Sequence, residues 1–264
     1  MLSEVLTFIF FILIGLEIRE GLNKPKDVIL PALAALGGMI VPALIFIAMI
    51  PGSDAWAVSM PTDVALAIGA LSILGKRVNP AVRLFLLTLA VADDFFSLVV
   101  IGIFFRQDLH LASAIYTLGA ASIGFLLPFR HRLIAILSPI ATFAIIPIYI
   151  FINLLTKLDF SLSTESIVVA VVVARVIGKV LGITLFTYLV TRFTSLKLPP
   201  ALDLKEIVGV GFLAGMGLTV SIVIAEITLQ TESELAQVRM GLFFAAILSG
   251  LLGVLWLKRF PASL

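Results

Sequence analysis

Long apolar runs dominate the chain, separated by short connections that carry most of its charged residues. Nine such runs can be drawn, at about residues 4–18, 28–50, 56–75, 81–105, 109–129, 133–156, 165–191, 207–229 and 239–257. Most have the ~20 residues that an α-helix needs to cross a ~30 Å hydrocarbon core. Alternating β-barrel strands would give a far weaker hydropathy signal. The pattern predicts an all-α polytopic membrane protein of about nine transmembrane helices, with residues 1–264 forming a single transmembrane domain. The opening run has no basic stretch before it and no small-x-small cleavage pattern after it, so a retained first helix is expected rather than a signal peptide.

Two runs are interrupted. The third carries Pro61, Thr62 and Asp63 near mid-span, and the eighth carries Gly209, Gly211, Gly215 and Gly217. Each is the middle member of a group of three, helices two to four and seven to nine. Broken helices in matching positions of two such units point to an inverted-repeat transporter. The expected architecture is inverted three-helix repeats with two broken crossing helices. The core units span about 28–105 and 165–257, beside a reduced scaffold at about 4–18 and 109–156.

Composition agrees with the pattern. The chain is 61% hydrophobic and 13% charged, with a mean hydropathy of +1.21, whereas soluble proteins carry about 25% charged residues. The net charge of +2 is spread over connections and forms no patch for nucleic acid. There is no cysteine, and the two histidines, His110 and His131, stand far apart at segment edges, which argues against a metal site built on either.

The basic residues also predict an orientation. With the N-terminus outside, the inner connections carry thirteen: Arg19, Lys24, Lys26, Lys76, Arg77, Arg83, Arg130, Arg132, Arg192, Lys197, Lys205, Lys258 and Arg259. The outer connections carry three, Arg106, Lys157 and Arg239. The expectation is an N-terminus outside and a C-terminus inside. Two basic residues remain, Arg175 and Lys179, both within the seventh run.

Inside the predicted membrane lie Asp63, Asp93, Asp94, Arg175 and Lys179, with Glu17 and Glu226 nearer helix ends. At ~3 kcal/mol for each unpaired central charge, five would cost about 15 kcal/mol, as much as the whole stability of a typical protein. They must meet one another or water. Fully ionised they sum to −1, which suits a pocket that receives a cation. Asp93 and Asp94 are about 100° apart around a helix, so one can face a water-filled cavity while the other faces a basic neighbour. Oxygen ligands suit a hard cation such as Na⁺. A carboxylate that holds either H⁺ or Na⁺, but not both, is the minimal element for exchanging the two. Lys179 has a titratable ammonium that could release a proton as Na⁺ takes its carboxylate partner. Arg175, one turn earlier, stays protonated and is a charge-balancing residue. Either cation could also serve only to neutralise the Asp cluster. Thr62 could lend its hydroxyl to the ion or satisfy its own helix carbonyl.

The stretches PTDVALAIGALSILGKRV, LFLLTLAVADDFFSLVVIGIFF, IGKVLGITLF and GVGFLAGMGLTVSIVIA resemble the core motifs of NhaA-type sodium/proton antiporters. FFILIGLEIREGL and the span from Leu133 to Asn153, with Pro139 and Pro147, are similar to it as well. That family is itself a standard example of inverted repeats with broken helices. The resemblance implies that Asp94 is the principal ion-binding carboxylate, with Asp93 also at the Na⁺ site and paired with Lys179. Asp63 would stabilise the crossing helices, and Thr62 would contribute to the ion path. It further implies Na⁺ or Li⁺ leaving the cell in exchange for entering protons, in the cytoplasmic (inner) membrane of a bacterium, for sodium and pH homeostasis with activation at alkaline pH. Such a protein is a transporter, not an enzyme, and needs no cofactor beyond the ions it moves; its partners are membrane lipids, Na⁺ and H⁺.

The chain departs from that family in three ways. It resembles a shortened member, starting at the family's second helix and lacking two more around residues 106–130, together with the β-hairpin used for homodimer contacts. Arg175 stands where the family has an apolar residue. The acidic and histidine residues used for pH sensing are replaced by Ile134, Ala135 and Ser138, which leaves Glu17 as a possible remnant of the sensor. Two other readings compete with exchange. An inactive or assembly-dependent remnant would keep the core but not the motion. An intramembrane aspartyl protease would need its two carboxylates on facing helices with a Gly-x-Gly-Asp context, and the neighbours here are VADDF and PTDV.

Overall fold

The computed structural model describes residues 8–9, 11–13, 15–16, 19, 25–75, 78–104, 111–127, 133–134, 136–137, 140, 144–200 and 202–259. Glu17, Ala135, Ser138, His110 and His131 lie outside them. The described elements are helical throughout.

The first core unit begins with α1 (Pro25–Met49), which opens on a proline at its first position, where the missing N–H is no loss. Next comes a 3₁₀ turn (Asp54–Ser59) capped by Ser53 Oγ on the Ala55 N–H at 3.3 Å. After a break at 60–63 the chain resumes as α2 (Val64–Leu74), followed by α3 (Pro80–Phe104). Between the units lie α4 (Leu111–Leu126) and α5 (Ile146–Asn153). The second unit opens with one continuous span made of α6 (Ser166–Val173), a π-helical turn (Ala174–Gly178) and α7 (Lys179–Phe193). It continues with α8 (Leu204–Ala214), a break at 215–218 and α9 (Thr219–Thr228). It ends with α10 (Glu232–Lys258), capped by Thr231 Oγ1 on the Glu234 N–H at 3.3 Å.

Among the described residues, Val28–Met49, Asp54–Leu74, Ser166–Phe193 and Glu232–Lys258 are long and apolar enough to span a bilayer. The pair α8 and α9, bent by 51°, makes a further broken span. Leu84, Ile103, Leu181, Phe193 and Leu251 are exposed on the helix surfaces, as a lipid solvent allows. The chain is thus an all-α polytopic integral membrane protein.

Both interruptions expected from sequence are real breaks, and in each unit the broken element stands between two long ones. The 3₁₀ turn packs against α9, and α2 against α8, so each half of one broken helix lies beside a half of the other. One position differs from expectation. Arg239, assigned to an outer connection, lies two turns inside α10 and is buried, because Glu232 to Val238 already form helix. Its guanidinium reaches Glu226 of α9 and Glu232, each at 3.8 Å.

The two units are joined mainly along α1 and α7. Where these helices cross, a Cβ on Gly182 would collide with the Gly37 carbonyl, and one on Gly178 would come within 2.9 Å of the Pro42 Cα. Without a hydrophobic driving force in lipid, such small-residue contacts hold helices together by close packing. This seam fixes the height of Lys179, which heads α7, relative to the first break. Gly182→Val should force the backbones apart and destabilise the protein by about 1–3 kcal/mol, the usual cost of overpacking. The check is a lowered thermal midpoint and a smaller monodisperse fraction on size exclusion in detergent; a parent-like midpoint would mean the seam is looser than its geometry.

Candidate functional site

A helix that breaks inside a membrane exposes four unpaired N–H groups at one end and four carbonyls at the other. In hydrocarbon each costs several kcal/mol unless satisfied. Two such breaks meet here, so the residues between them are set by that accounting.

Asp63 serves the N-terminal ends of both. Its Oδ1 accepts from the Ala65 and Leu66 N–H groups at 3.1 and 3.3 Å, capping α2. Its Oδ2 accepts from the Thr219 hydroxyl at 2.8 Å and from the Thr219 N–H at 3.4 Å, the first residue of α9. One buried carboxylate therefore faces the positive ends of two half-helices, the placement that helix dipoles favour.

Arg175 serves the opposite ends. It sits in the π-turn, fully buried. Its Nε donates to the Gly215 carbonyl, at the C-terminal end of α8, at 3.1 Å. Nη1 donates to the Val58 carbonyl of the 3₁₀ turn at 2.6 Å and to Ser221 Oγ in the first turn of α9 at 2.9 Å. Nη2 donates to the Pro61 carbonyl at 2.6 Å. Gly217 lies against the guanidinium, and any Cβ there would strike Nη2 and the Pro61 carbonyl. The sequence marks Arg175 as a charge-balancing residue, and the structure adds the hydrogen bonds that hold it. Among the described residues Arg175 makes no carboxylate contact; its donors go to neutral oxygens, and its charge acts on Asp93 and Asp63 only at longer range.

Lys179 completes the crossing. Its ammonium, fully buried, donates to the Met60 carbonyl, to Thr62 Oγ1 at 2.8 Å and to Asp93 Oδ2 at 2.9 Å. All three of its donors are thus used. Thr62 accepts from the lysine in this conformation, so its oxygen is already engaged. Asp93 is fully buried in α3. Asp94, one residue on, is also buried, and its charge acts on Lys179. A π-helical turn is a frequent mark of a functional segment; here it holds Arg175, and Lys179 follows it at the head of α7.

The structure therefore brings Thr62, Asp63, Asp93, Arg175 and Lys179 together, with Asp94 beside them; Glu17 is outside the described residues. Among those residues no three acidic or histidine side chains gather as a resident metal centre would require. Sequence reading named Gly217 as part of the interruption but missed Thr219 and Ser221. The signal was present in GMGLTVS, where two hydroxyl residues follow the glycines of the interrupted run within an otherwise apolar stretch.

Comparison with known proteins places these residues in a family. A family model described as Na⁺/H⁺ antiporter 1 matches residues 1–131 and 128–257. The chain is 31% identical to the Na⁺/H⁺ antiporter NhaA 2 of Aliarcobacter butzleri over 318 residues, covering 96% of this chain and 80% of that protein. It is 31% identical to the NhaA antiporter of Actinobacillus pleuropneumoniae (95% and 80% covered) and 30% identical to that of Salmonella typhimurium (97% and 82% covered). An alignment of 318 positions against a chain of 264 residues holds at least 54 positions at which this chain has no residue. The two family matches meet at residues 128–131, between the two core units. A membrane protein whose broken helices cross over a buried Asp–Lys pair, and whose sequence matches that model from residue 1 to 257, belongs to the Na⁺/H⁺ antiporter 1 family.

Proposed function

We propose that the protein is a secondary transporter, not an enzyme, that moves Na⁺ or Li⁺ out of a bacterial cell across the inner membrane in exchange for entering H⁺. The observation that carries this reading is the fully buried Asp93–Lys179 pair at 2.9 Å, at the crossing of two broken helices and one residue from Asp94. Family membership and the names of its relatives support it.

A buried ion pair is weak evidence for stability, because desolvation offsets much of the attraction. A charged lysine inside a membrane is by default a functional group. In this reading Asp94 receives the cation from water, and Asp93 turns towards it from Lys179. The ammonium then loses its partner and gives up a proton. As H⁺ leaves Lys179, the five side chains Asp63, Asp93, Asp94, Arg175 and Lys179 go from −1 to −2, and the arriving Na⁺ returns the sum of site and ion to −1. Release of Thr62 Oγ1 by Lys179 makes that oxygen, with the break carbonyls, available to the ion. The core rocks against the scaffold to expose the site on either side, with the N-terminus outside and the C-terminus inside.

Purified protein in liposomes should exchange Na⁺ or Li⁺ for H⁺ between pH 6 and 9, and Asp94→Asn should abolish cation-induced proton release. Parent-like release from Asp94→Asn would remove Asp94 from the ion site. No exchange by the parent itself would favour a folded but inactive core. Lys179→Gln should change the pH profile of exchange, whereas an unaltered profile would reduce the lysine to a structural counter-ion. Asp63 is assigned to the crossing rather than to the ion. Asp63→Ala strips caps from α2 and α9 and should lower stability by about 1–4 kcal/mol, while Asp63→Asn, which keeps an acceptor, should lose less. Equal thermal midpoints for the two variants would show that charge, not hydrogen bonding, is what Asp63 supplies.

A further inference from the structure

A serine or threonine inside a helix commonly donates its hydroxyl to the carbonyl one turn back. Ser72 does so to Ile68 at 2.8 Å, Thr88 to Leu84 at 2.8 Å, Thr156 to Ile152 at 2.7 Å and Thr191 to Thr187 at 2.9 Å. Ser97 of α3 does not. It is 1% exposed, and its hydroxyl has no hydrogen-bond partner among the described residues. Its neighbours Phe96 and Leu98 pack against the apolar core. A buried hydroxyl left in that state costs about 1–3 kcal/mol.

The position of Ser97 on α3 gives that hydroxyl a use. At about 100° per residue, Ser97 points about 40° from Asp93 and about 60° from Asp94, between the two carboxylates and one turn further along the helix. Asp93 accepts from Lys179 through Oδ2, and its Oδ1 is buried without a hydrogen bond. One face of α3 therefore carries two unused buried oxygens one turn apart, one anionic and one neutral. Thr184 and Thr187 on α7, Thr228 on α9 and Ser249 on α10 are buried hydroxyls in the same condition, but none is on the helix of the Asp pair.

We infer that Ser97 is a ligand of the transported cation, supplying a neutral oxygen beside the carboxylates of Asp93 and Asp94 and favouring Na⁺ over Li⁺. Hard cations take oxygen ligands, and the larger ion accommodates more of them, as Ca²⁺ does beside the smaller Mg²⁺. Losing one oxygen should therefore weaken Na⁺ more than Li⁺. A hydroxyl also adds a ligand without adding charge to a site that already holds Asp63, Asp93 and Asp94. The identity of the ion rests on the antiport reading; the stranded hydroxyl does not.

A cation that binds the folded state raises its thermal midpoint. The test reads the Na⁺ and Li⁺ concentrations that give half of that rise, on purified full-length protein in detergent at one fixed pH. Choline chloride keeps the ionic strength constant. Ser97→Ala should raise the Na⁺ concentration about tenfold, the lower end of what losing a supporting group costs a metal site, and the Li⁺ concentration by less. Ser97→Cys, similar in volume but with a soft sulfur, should also weaken Na⁺. Ser97→Thr keeps the oxygen and should stay closer to the parent than either. Without added cation, Ser97→Ala should melt no lower than the parent, because no hydrogen bond is lost. Parent-like Na⁺ concentrations in Ser97→Ala and Ser97→Cys overturn the assignment. So does a Ser97→Ala midpoint clearly below the parent's without cation, which would make the hydroxyl structural. Equal losses for Na⁺ and Li⁺ overturn the preference for Na⁺, and a parent that responds to neither cation overturns the ligand outright. Liposome exchange separates this from the antiport reading. A parent that binds Na⁺ through Ser97 but exchanges none overturns antiport alone, and one that exchanges Na⁺ with a parent-like Ser97→Ala overturns the ligand alone.

Discussion

Two helices broken at the same depth leave the ends of four half-helices facing one another inside a membrane. Everything at the centre of this protein answers that constraint. The N-terminal ends of α2 and α9 converge on one carboxylate, Asp63, and the C-terminal ends of the 3₁₀ turn and α8 converge on one guanidinium, Arg175. The polarity of the helix dipole decides which sign goes where. The absence of water decides that each group must be fully hydrogen-bonded rather than merely close. Crossing the two breaks halves the number of charged side chains that this would otherwise require, because each caps two ends at once.

Lys179 spends one donor on the Met60 carbonyl of the first break and the other two on Thr62 and Asp93, so it ties the crossing to the carboxylates of α3. The π-turn at Ala174–Gly178 is the local device that holds Arg175, with Lys179 next at the head of α7. The glycine seam between α1 and α7 is the distant one, since it sets the height at which that helix crosses the first break.

The two family matches meet at residues 128–131, between the core units. Each unit keeps its long–broken–long order, and among the described residues the groups that satisfy the breaks come from within the units: Asp63 from the first, Arg175, Lys179, Thr219 and Ser221 from the second.

From its sequence alone this chain declares its class, its broken helices and the charged residues that meet at them. Apolar length, interrupted runs and costly charges are local properties, and bilayer thickness turns them directly into structure. Composition and spacing also pick out Asp63, Asp93, Asp94, Arg175 and Lys179, since no charge is placed in mid-membrane without a partner. What they leave open is which partner. Arg175 and Lys179 look alike as basic residues one turn apart, yet tertiary structure gives one to backbone carbonyls and the other to Asp93. Thr219 and Ser221 look like ordinary helix residues until the crossing brings them to Asp63 and Arg175. Arg239 reads as a loop residue until the real start of α10 buries it beside Glu226. Those pairings join residues up to 156 positions apart, and only the packing of the two units decides them, because hydrogen bonds choose by distance and direction, which no local pattern in the chain encodes.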